Sequence, residues 1–446
     1  MRFEKLAALL LFAAASMSSV AADFSAWKQR MPIALGRVDR RTIGLLPVDA
    51  TVSLKAADMA DPQNPGRELR LVYRKNAETR EIPFQLSRAS VWDGDSSPSV
   101  PTFNARLTFF PADGDQAGTY ELLYGNADAR PTSYTTDLEV GGEGPHWTIE
   151  NSLMTARLRA GDTVKRKRID DRHADSGQLG SVTLKSRPAT PITNQQNLLH
   201  WNPGVYIPRR GWVQAYAWDP PPVCEIERGP IFVEVRRGGP LPTVPEVELS
   251  ITYRFFRERS FVEVSTRMDI VEDLGVVALR NNECIFNENL FTRMAWEQFG
   301  EVHDEPIAGY KPANKHGDLV RLKPDTPWFA LYQPDSRIGV ATVFASECNL
   351  APRGGAPAQF EHAFSFTREP RDRQVFWSRP QILFAKEWDR KQLITVPKGS
   401  VYAEQNYYFF YDTEKAGPVD AVRRLSRAVQ NPPDVKIGPY PFAPPK

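Results

Sequence analysis

Along most of the chain, apolar and polar residues alternate one for one in short runs separated by turn-forming residues. A period of two sends alternate side chains to opposite faces of an extended backbone, so each run predicts a β-strand with one buried face. Early runs are TVSLKA (51–56), ELRLVYRK (68–75), ARLTFFPA (105–112) and TYELLYGN (119–126). The alternation stops at 126–145, NADARPTSYTTDLEVGGEGP, where polar and turn residues predict a link between two units. Longer runs follow at PIFVEVRR (230–237), EVELSITYRFFRE (246–258) and SFVEVSTRMDIVED (260–273), the last two predicting a hairpin in which each arm buries one face. Further strands are expected at 327–333, 337–346, 360–369, 374–385 and 401–412. Helical spacing occurs in PVDAVRRLSRAVQ (418–430), where Val419, Val422, Leu425 and Val429 follow an N-terminal proline. The expected fold is all-β: a small N-terminal β-sandwich over 23–135, a large antiparallel sandwich over 145–446, and one short C-terminal helix.

Residues 1–22 place Arg2 and Lys5 before a short apolar run and end on Val20, Ala21 and Ala22, the pattern of a cleaved secretory signal peptide. This predicts a periplasmic or secreted protein, and no later run approaches the ~20 apolar residues of a membrane helix. The formal charge of +2 gives no electrostatic footprint for nucleic acid or for an acidic membrane surface. Cys224, Cys284 and Cys348 lie far apart in sequence, leaving room for at most one disulfide, and their isolation suggests core positions.

The succession TIENSLMTARL (148–158), SGQLGSV (176–182), ITYRFF (251–256) and FVEVSTRMDI (261–270) resembles the galactose-mutarotase-like supersandwich superfamily. Within it the chain looks most like bacterial polysaccharide lyases and their uncharacterised relatives. The resemblance covers roughly 145–415 and implies a saccharide ligand. Many such lyases pair this sheet with a helical toroid, which this chain lacks, so the first β unit or long loops would have to form the second wall of a cleft.

Three segments carry candidate chemistry. The first, HWNPGVYIPRRGWVQAYAWDPPP (200–222), gathers ionisable and aromatic residues among prolines and reads as a stiff loop. Elimination from a uronate needs its carboxylate neutralised, a base for the C5 proton and an acid for the leaving oxygen. His200, Tyr206 and Tyr216 are candidates for proton transfer, Arg209 and Arg210 for the carboxylate, and Trp212 and Trp218 for stacking under a pyranose ring. The alternative is structural, with the tryptophans plugging the sandwich end and the arginines pairing with Asp219 and Glu225. The second, ALRNNECIFNENLF (278–291), offers Arg280, Asn281 and Asn282 as contacts to carboxylate or hydroxyls, against a plain Asn-rich turn. The third, EVHDEPIAGYKPANKHGDLV (301–320), is expected to be a polar loop with His303 catalytic and His316 binding substrate, or a solvated loop with no chemical duty. Its pairs His303–Asp304 and His316–Asp318 could instead hold zinc or calcium, although neither has a recognised spacing.

The resulting expectation is an exported carbohydrate-active enzyme, a polysaccharide lyase cleaving a uronate-containing glycan by β-elimination. The alternatives are a glycoside hydrolase or sugar epimerase on the same fold, or a noncatalytic periplasmic glycan-binding protein. The partner is a polysaccharide or oligosaccharide. No cofactor is required by the sequence, and a divalent metal remains open.

Overall fold

The computed structural model describes residues 23–36, 39, 41–76, 78–92, 101–112, 118–160, 176–193, 203–208, 210–287, 289–309, 318–322, 325–352, 365–369, 374–382 and 393–438. The expected signal peptide lies outside them. The chain is mostly antiparallel β, as the alternation predicts, and no helix of the described residues is long and apolar enough to cross a membrane.

The small sandwich has two sheets. One orders Asp434–Ile437, Gln29–Gly36, Thr119–Tyr124, Arg70–Lys75 and Glu78–Ile82; the other orders Val48–Lys55, Thr102–Phe109 and Phe84–Trp92. In Val48–Lys55 the residues Val48, Ala50, Val52 and Leu54 are buried while the intervening side chains face outward. They join Leu71, Phe103, Leu107, Phe109 and Leu122 in one core. One boundary differs from expectation. The last described strand, Asp434–Ile437, returns to the small sandwich and pairs with Gln29–Gly36, so 434–437 is not part of the large one.

The expected link is held at both ends. Tyr134 donates to Glu81 and packs edge-on against Phe84, and the Asp137 carboxylate accepts from the Ser152 and Glu258 amides.

The large sandwich faces two sheets across a common core. The nine-stranded sheet runs Val223–Arg228, Phe232–Leu241, Val244–Phe256, Phe261–Ile270, Val401–Asp412, Ile338–Leu350, Trp328–Gln333, Arg293–Gln298 and Glu301–Pro306. The six-stranded sheet runs Gly211–Gln214, Gly204–Ile207, Ala278–Asn287, Gln374–Ile382, Ser365–Glu369 and Asp318–Arg321. Ile251, Tyr253, Val262, Val264, Tyr408 and Phe410 of the large sheet share this core with Ala278, Cys284 and Phe286 of the smaller one.

The predicted hairpin forms, with Phe255 opposite Val262. Its one-face burial holds only in part. Near the turn, Arg254, Phe256, Phe261 and Glu263 are buried on the second face too, because the helix and the small sandwich cover it. The helix spans Asp420–Gln430, after a one-turn helix at Thr413–Ala416 that Asp412 caps. Its Val422, Leu425 and Val429 seat on Phe256, Phe261, Ala330, Ala341 and Tyr411.

The small sandwich meets the nine-stranded sheet through buried polar contacts. Gln85 Oε1 accepts from the Ile231 and Phe232 amides at 3.2 and 3.0 Å. A Cβ on Gly229 would lie 2.1 Å from the Gln85 side chain, so any other residue there would push the Gln85 amide out of these bonds. Beside it, Arg254 bonds Asp49 at 2.9 Å and Thr108 at 3.2 Å, approaches Glu234 and Glu263 at 3.5 Å, and lies 4.0 Å over the Phe232 ring. Arg106 holds Asp49 from the other side. Burial alone would push the Asp49 carboxyl up; the two guanidiniums outweigh it and hold it at about 2.

Candidate functional site

His200 and Arg209 of the first predicted segment lie outside the described residues. The rest is more regular than a stiff loop. Its prolines fall at positions 203, 208 and 220–222, leaving GVYI and GWVQ free to pair as strands Gly204–Ile207 and Gly211–Gln214 at the edge of the six-stranded sheet. Gly211, at φ +78°, completes the turn between them in a conformation that suits glycine. Tyr206 and Trp212 sit opposite each other with ring centroids 5.6 Å apart, edge to face. Arg210 is exposed and donates to the Thr243 carbonyl.

Trp218 cannot be a stacking platform for a sugar. It is 2% exposed, sits in the main core, donates to the Pro240 carbonyl at 2.9 Å and has the Arg237 guanidinium 5.4 Å from its ring. Tyr216 is also buried, its hydroxyl 3.3 Å from the Trp212 carbonyl, which turns the expected proton donor into the protein.

The second segment is neither a loop nor a turn. Ala278–Asn287 is a continuous strand, paired on one side with Gly204–Ile207 and on the other with Gln374–Ile382. Both faces are covered, so Arg280, Asn281, Asn282 and Glu283 are buried polar groups. Arg280 pairs with Glu283 and stacks 4.8 Å over Trp212. The Tyr408 hydroxyl, on the facing sheet, donates to Asn282 Oδ1. Desolvation drives the Tyr408 phenol and the Cys284 thiol well above their ordinary ranges, so both are neutral at physiological pH. Asn281 is 0% exposed, and neither polar atom of its amide has a hydrogen-bond partner among the described residues.

Tyr206, Trp212 and Arg280 therefore do come together, with Asn281 and Asn282 on the same strand as Arg280. His303 does not join them. It lies on the edge strand Glu301–Pro306, where the sequence suggested a loop, and stacks on Trp296 at 5.0 Å. Ala278–Asn287 faces Val401–Asp412 through the Asn282–Tyr408 bond; from there to the edge strand is four strand spacings, roughly 19 Å. The expected His303–Asp304 metal pair fails for a related reason: adjacent strand residues point to opposite faces. Asp304 instead bonds Arg293 at 2.9 Å and the Tyr332 hydroxyl at 2.6 Å. Burial and the Asp304 carboxylate push the Tyr332 phenol up to about 12. His316 and the 310–317 stretch lie outside the described residues. Among the described residues no three His, Cys, Asp or Glu side chains are grouped to hold a metal ion.

A different surface has the dimensions of a ligand site. On the outer face of the nine-stranded sheet, beyond the Arg254 network, lies a cleft of about 460 Å³. Cross-strand register sets its floor: Ser250, Arg267, Ala403 and Cys348 form one row, and Thr252, Ser265, Gln405 and Ser346 the next. The hydroxyl and amide side chains of these rows have no hydrogen-bond partner among the described residues. Arg267 is oriented by a two-pronged bond to Asp269 at 2.7 Å.

The opposite wall is the small sandwich, which contributes Arg88. Arg88 sits at a bulge in Phe84–Trp92, with φ +52°. A bulge inserts a residue that re-aims its side chain, and a left-handed arginine costs about 1 kcal/mol or more. Its guanidinium is exposed and has no ion-pair partner among the described residues. The first β unit thus forms the second wall that the resemblance left to it.

Sequence reasoning missed these residues because each reads as an ordinary solvent-facing position of an alternating strand. Only register, including the pairing of Phe261–Ile270 with the distant strand Val401–Asp412, puts them in one cleft.

No protein-family model and no curated protein sequence matches the chain. Solved structures do. An α-mannosidase from Enterococcus faecalis aligns with TM-score 0.50 at 9% identity, covering 94% of this chain and 47% of that one. A protein in glycosyl hydrolase family 38, also from Enterococcus faecalis, gives 0.49 at 11% identity, over 94% and 49%. A galactose mutarotase-like protein from Lactobacillus casei gives 0.35 at 12% identity, over 59% of this chain and 99% of that one. The chain spans about half the length of the first two. At these identities the likeness is one of fold, and none of the three is a polysaccharide lyase.

Proposed function

We propose that the chain is an exported carbohydrate-active protein and that the cleft between the small sandwich and the nine-stranded sheet holds a saccharide. The observation that carries this is the cleft itself: about 460 Å³, floored by hydroxyls and an amide and walled by an arginine that have no partner among the described residues. Hydroxyl and amide groups both donate and accept, as a sugar's hydroxyls require. An unpaired guanidinium favours a ring bearing a carboxylate, which it can grip through two parallel hydrogen bonds. The structural similarity to an α-mannosidase is in keeping with this class. Calorimetric titration of the purified chain with uronate and neutral oligosaccharides tests it. Uronates should bind, and Arg88→Ala should weaken them about tenfold, the scale of one charge-assisted hydrogen bond. Absence of binding across the panel would refute the reading.

Within that class the reaction we propose is β-elimination from a uronate glycan. Its candidate centre is separate from the cleft, across the common core: Tyr206 and Trp212 group with Arg280 at one edge of the six-stranded sheet, where the phenol is of the kind that proton transfer calls for and Arg280 is already paired with Glu283. His200 and Arg209 belong to the same proposal by sequence proximity. Incubation with uronate polysaccharides should generate the ultraviolet absorbance of an unsaturated product. Cleavage without that absorbance would replace elimination with hydrolysis.

A further inference from the structure

We propose that the polar face of the small sandwich from Arg88 to Trp92 is a second saccharide subsite continuous with the cleft, so that the protein grips an oligosaccharide across both sandwiches. This rests on the reading of the cleft as a saccharide site.

Register defines the surface. Beyond the bulge, Ser90 lies opposite Asn104, which lies opposite Ser53; Trp92 lies opposite Thr102, which lies opposite Lys55. These residues share the face of Arg106 and Thr108, the face that meets Arg254 of the large sheet. The intervening positions Leu54, Phe103 and Val91 point into the small core. Trp92 is therefore committed to the outer face, where it is 56% exposed with no ring, cation or hydrogen-bond partner among the described residues.

A single exposed apolar side chain is common and by itself means little. Its setting distinguishes this one. It stands on the strand that delivers Arg88, about 10 Å further along at ~3.3 Å per residue once the bulged residue is discounted. Beside it lies a row of hydroxyl and amide groups, in which the Ser53 hydroxyl orients the Asn104 side chain at 2.7 Å. An indole face covers the C–H face of a pyranose while neighbouring amides and hydroxyls take its hydroxyl groups. The separation from Arg88 exceeds one ring, so the two positions would engage different sugar units of one chain.

The test is affinity as a function of chain length, from the monosaccharide to the hexasaccharide, using fragments of whichever uronate polysaccharide in the panel binds. For the unmodified protein, affinity should rise about tenfold once the oligosaccharide is long enough to reach Trp92. Trp92→Ala should abolish that rise and leave the shortest binding fragment unaffected, while Trp92→Tyr should retain most of it. Because the side chain is exposed, thermal unfolding should be unchanged in both variants. A length dependence that persists in Trp92→Ala would overturn the subsite and leave the cleft standing. Failure of every fragment to bind would overturn both.

Discussion

Replacing Asp49 with asparagine tests how the two sandwiches are joined. The carboxylate sits between Arg254 of the nine-stranded sheet and Arg106 of its own sheet, and its pKa is held at about 2 against an ordinary value of 3.8. At ~1.4 kcal/mol per pH unit, that displacement corresponds to about 2 kcal/mol of stability. The sign follows from the direction. A depressed folded-state pKa contributes fully above the unfolded value near 4 and is lost as pH falls through 2. Asp49→Asn removes the charge at every pH, and Arg254 keeps Glu234 and Glu263 nearby, so the variant is not left with an isolated buried cation. Urea denaturation of both proteins at intervals from pH 7 to pH 2 should give a difference of about 2 kcal/mol at neutrality that shrinks steadily below pH 4. Titration of other groups cancels in the comparison. A difference that stayed constant down to pH 2, or that was absent at pH 7, would refute the reasoning.

Two further substitutions separate structural from functional roles. Trp218→Ala should destabilise the fold by about 3–5 kcal/mol through loss of a large core side chain and leave saccharide affinity of the folded protein intact; a selective loss of affinity would restore its role as a sugar platform. Tyr408→Phe should cost about 1–3 kcal/mol by leaving the buried Asn282 amide without its partner, measured by thermal unfolding, and an unchanged melting temperature would mean that the bond contributes nothing.

The alternation of the chain made the strands legible, because a period of two has one structural meaning wherever one face is buried. Ala278–Asn287 was not legible. Asn281 and Asn282 argue locally for a turn, yet pairing on both sides and burial of both faces hold them in a central strand. Tertiary context outweighs local preference there. The same limit applied to Asp434–Ile437, whose partner is some four hundred residues away and leaves no local trace. Within the candidate sites, the chemistry of Arg280, Tyr206 and Trp212 could be listed from the sequence, and their meeting required a hairpin that the prolines disguised. The cleft was invisible for a deeper reason. Its hydroxyls are common residues at common spacing, and Arg88 is distinguished only by a bulge and a positive φ. The cysteines show the same dependence on context: all three are free thiols, with Cys284 buried and Cys348 exposed on the cleft floor.

Cys348 gives the most direct test of the central claim that this cleft holds a saccharide. Its rate of alkylation by a small maleimide reads occupancy of the floor, and buried Cys284 serves as the internal control. A saturating uronate oligosaccharide should slow modification of Cys348 severalfold while Cys284 stays unreacted throughout. An unchanged rate at Cys348, with binding of the same oligosaccharide verified by calorimetry, would put the saccharide elsewhere and contradict the account.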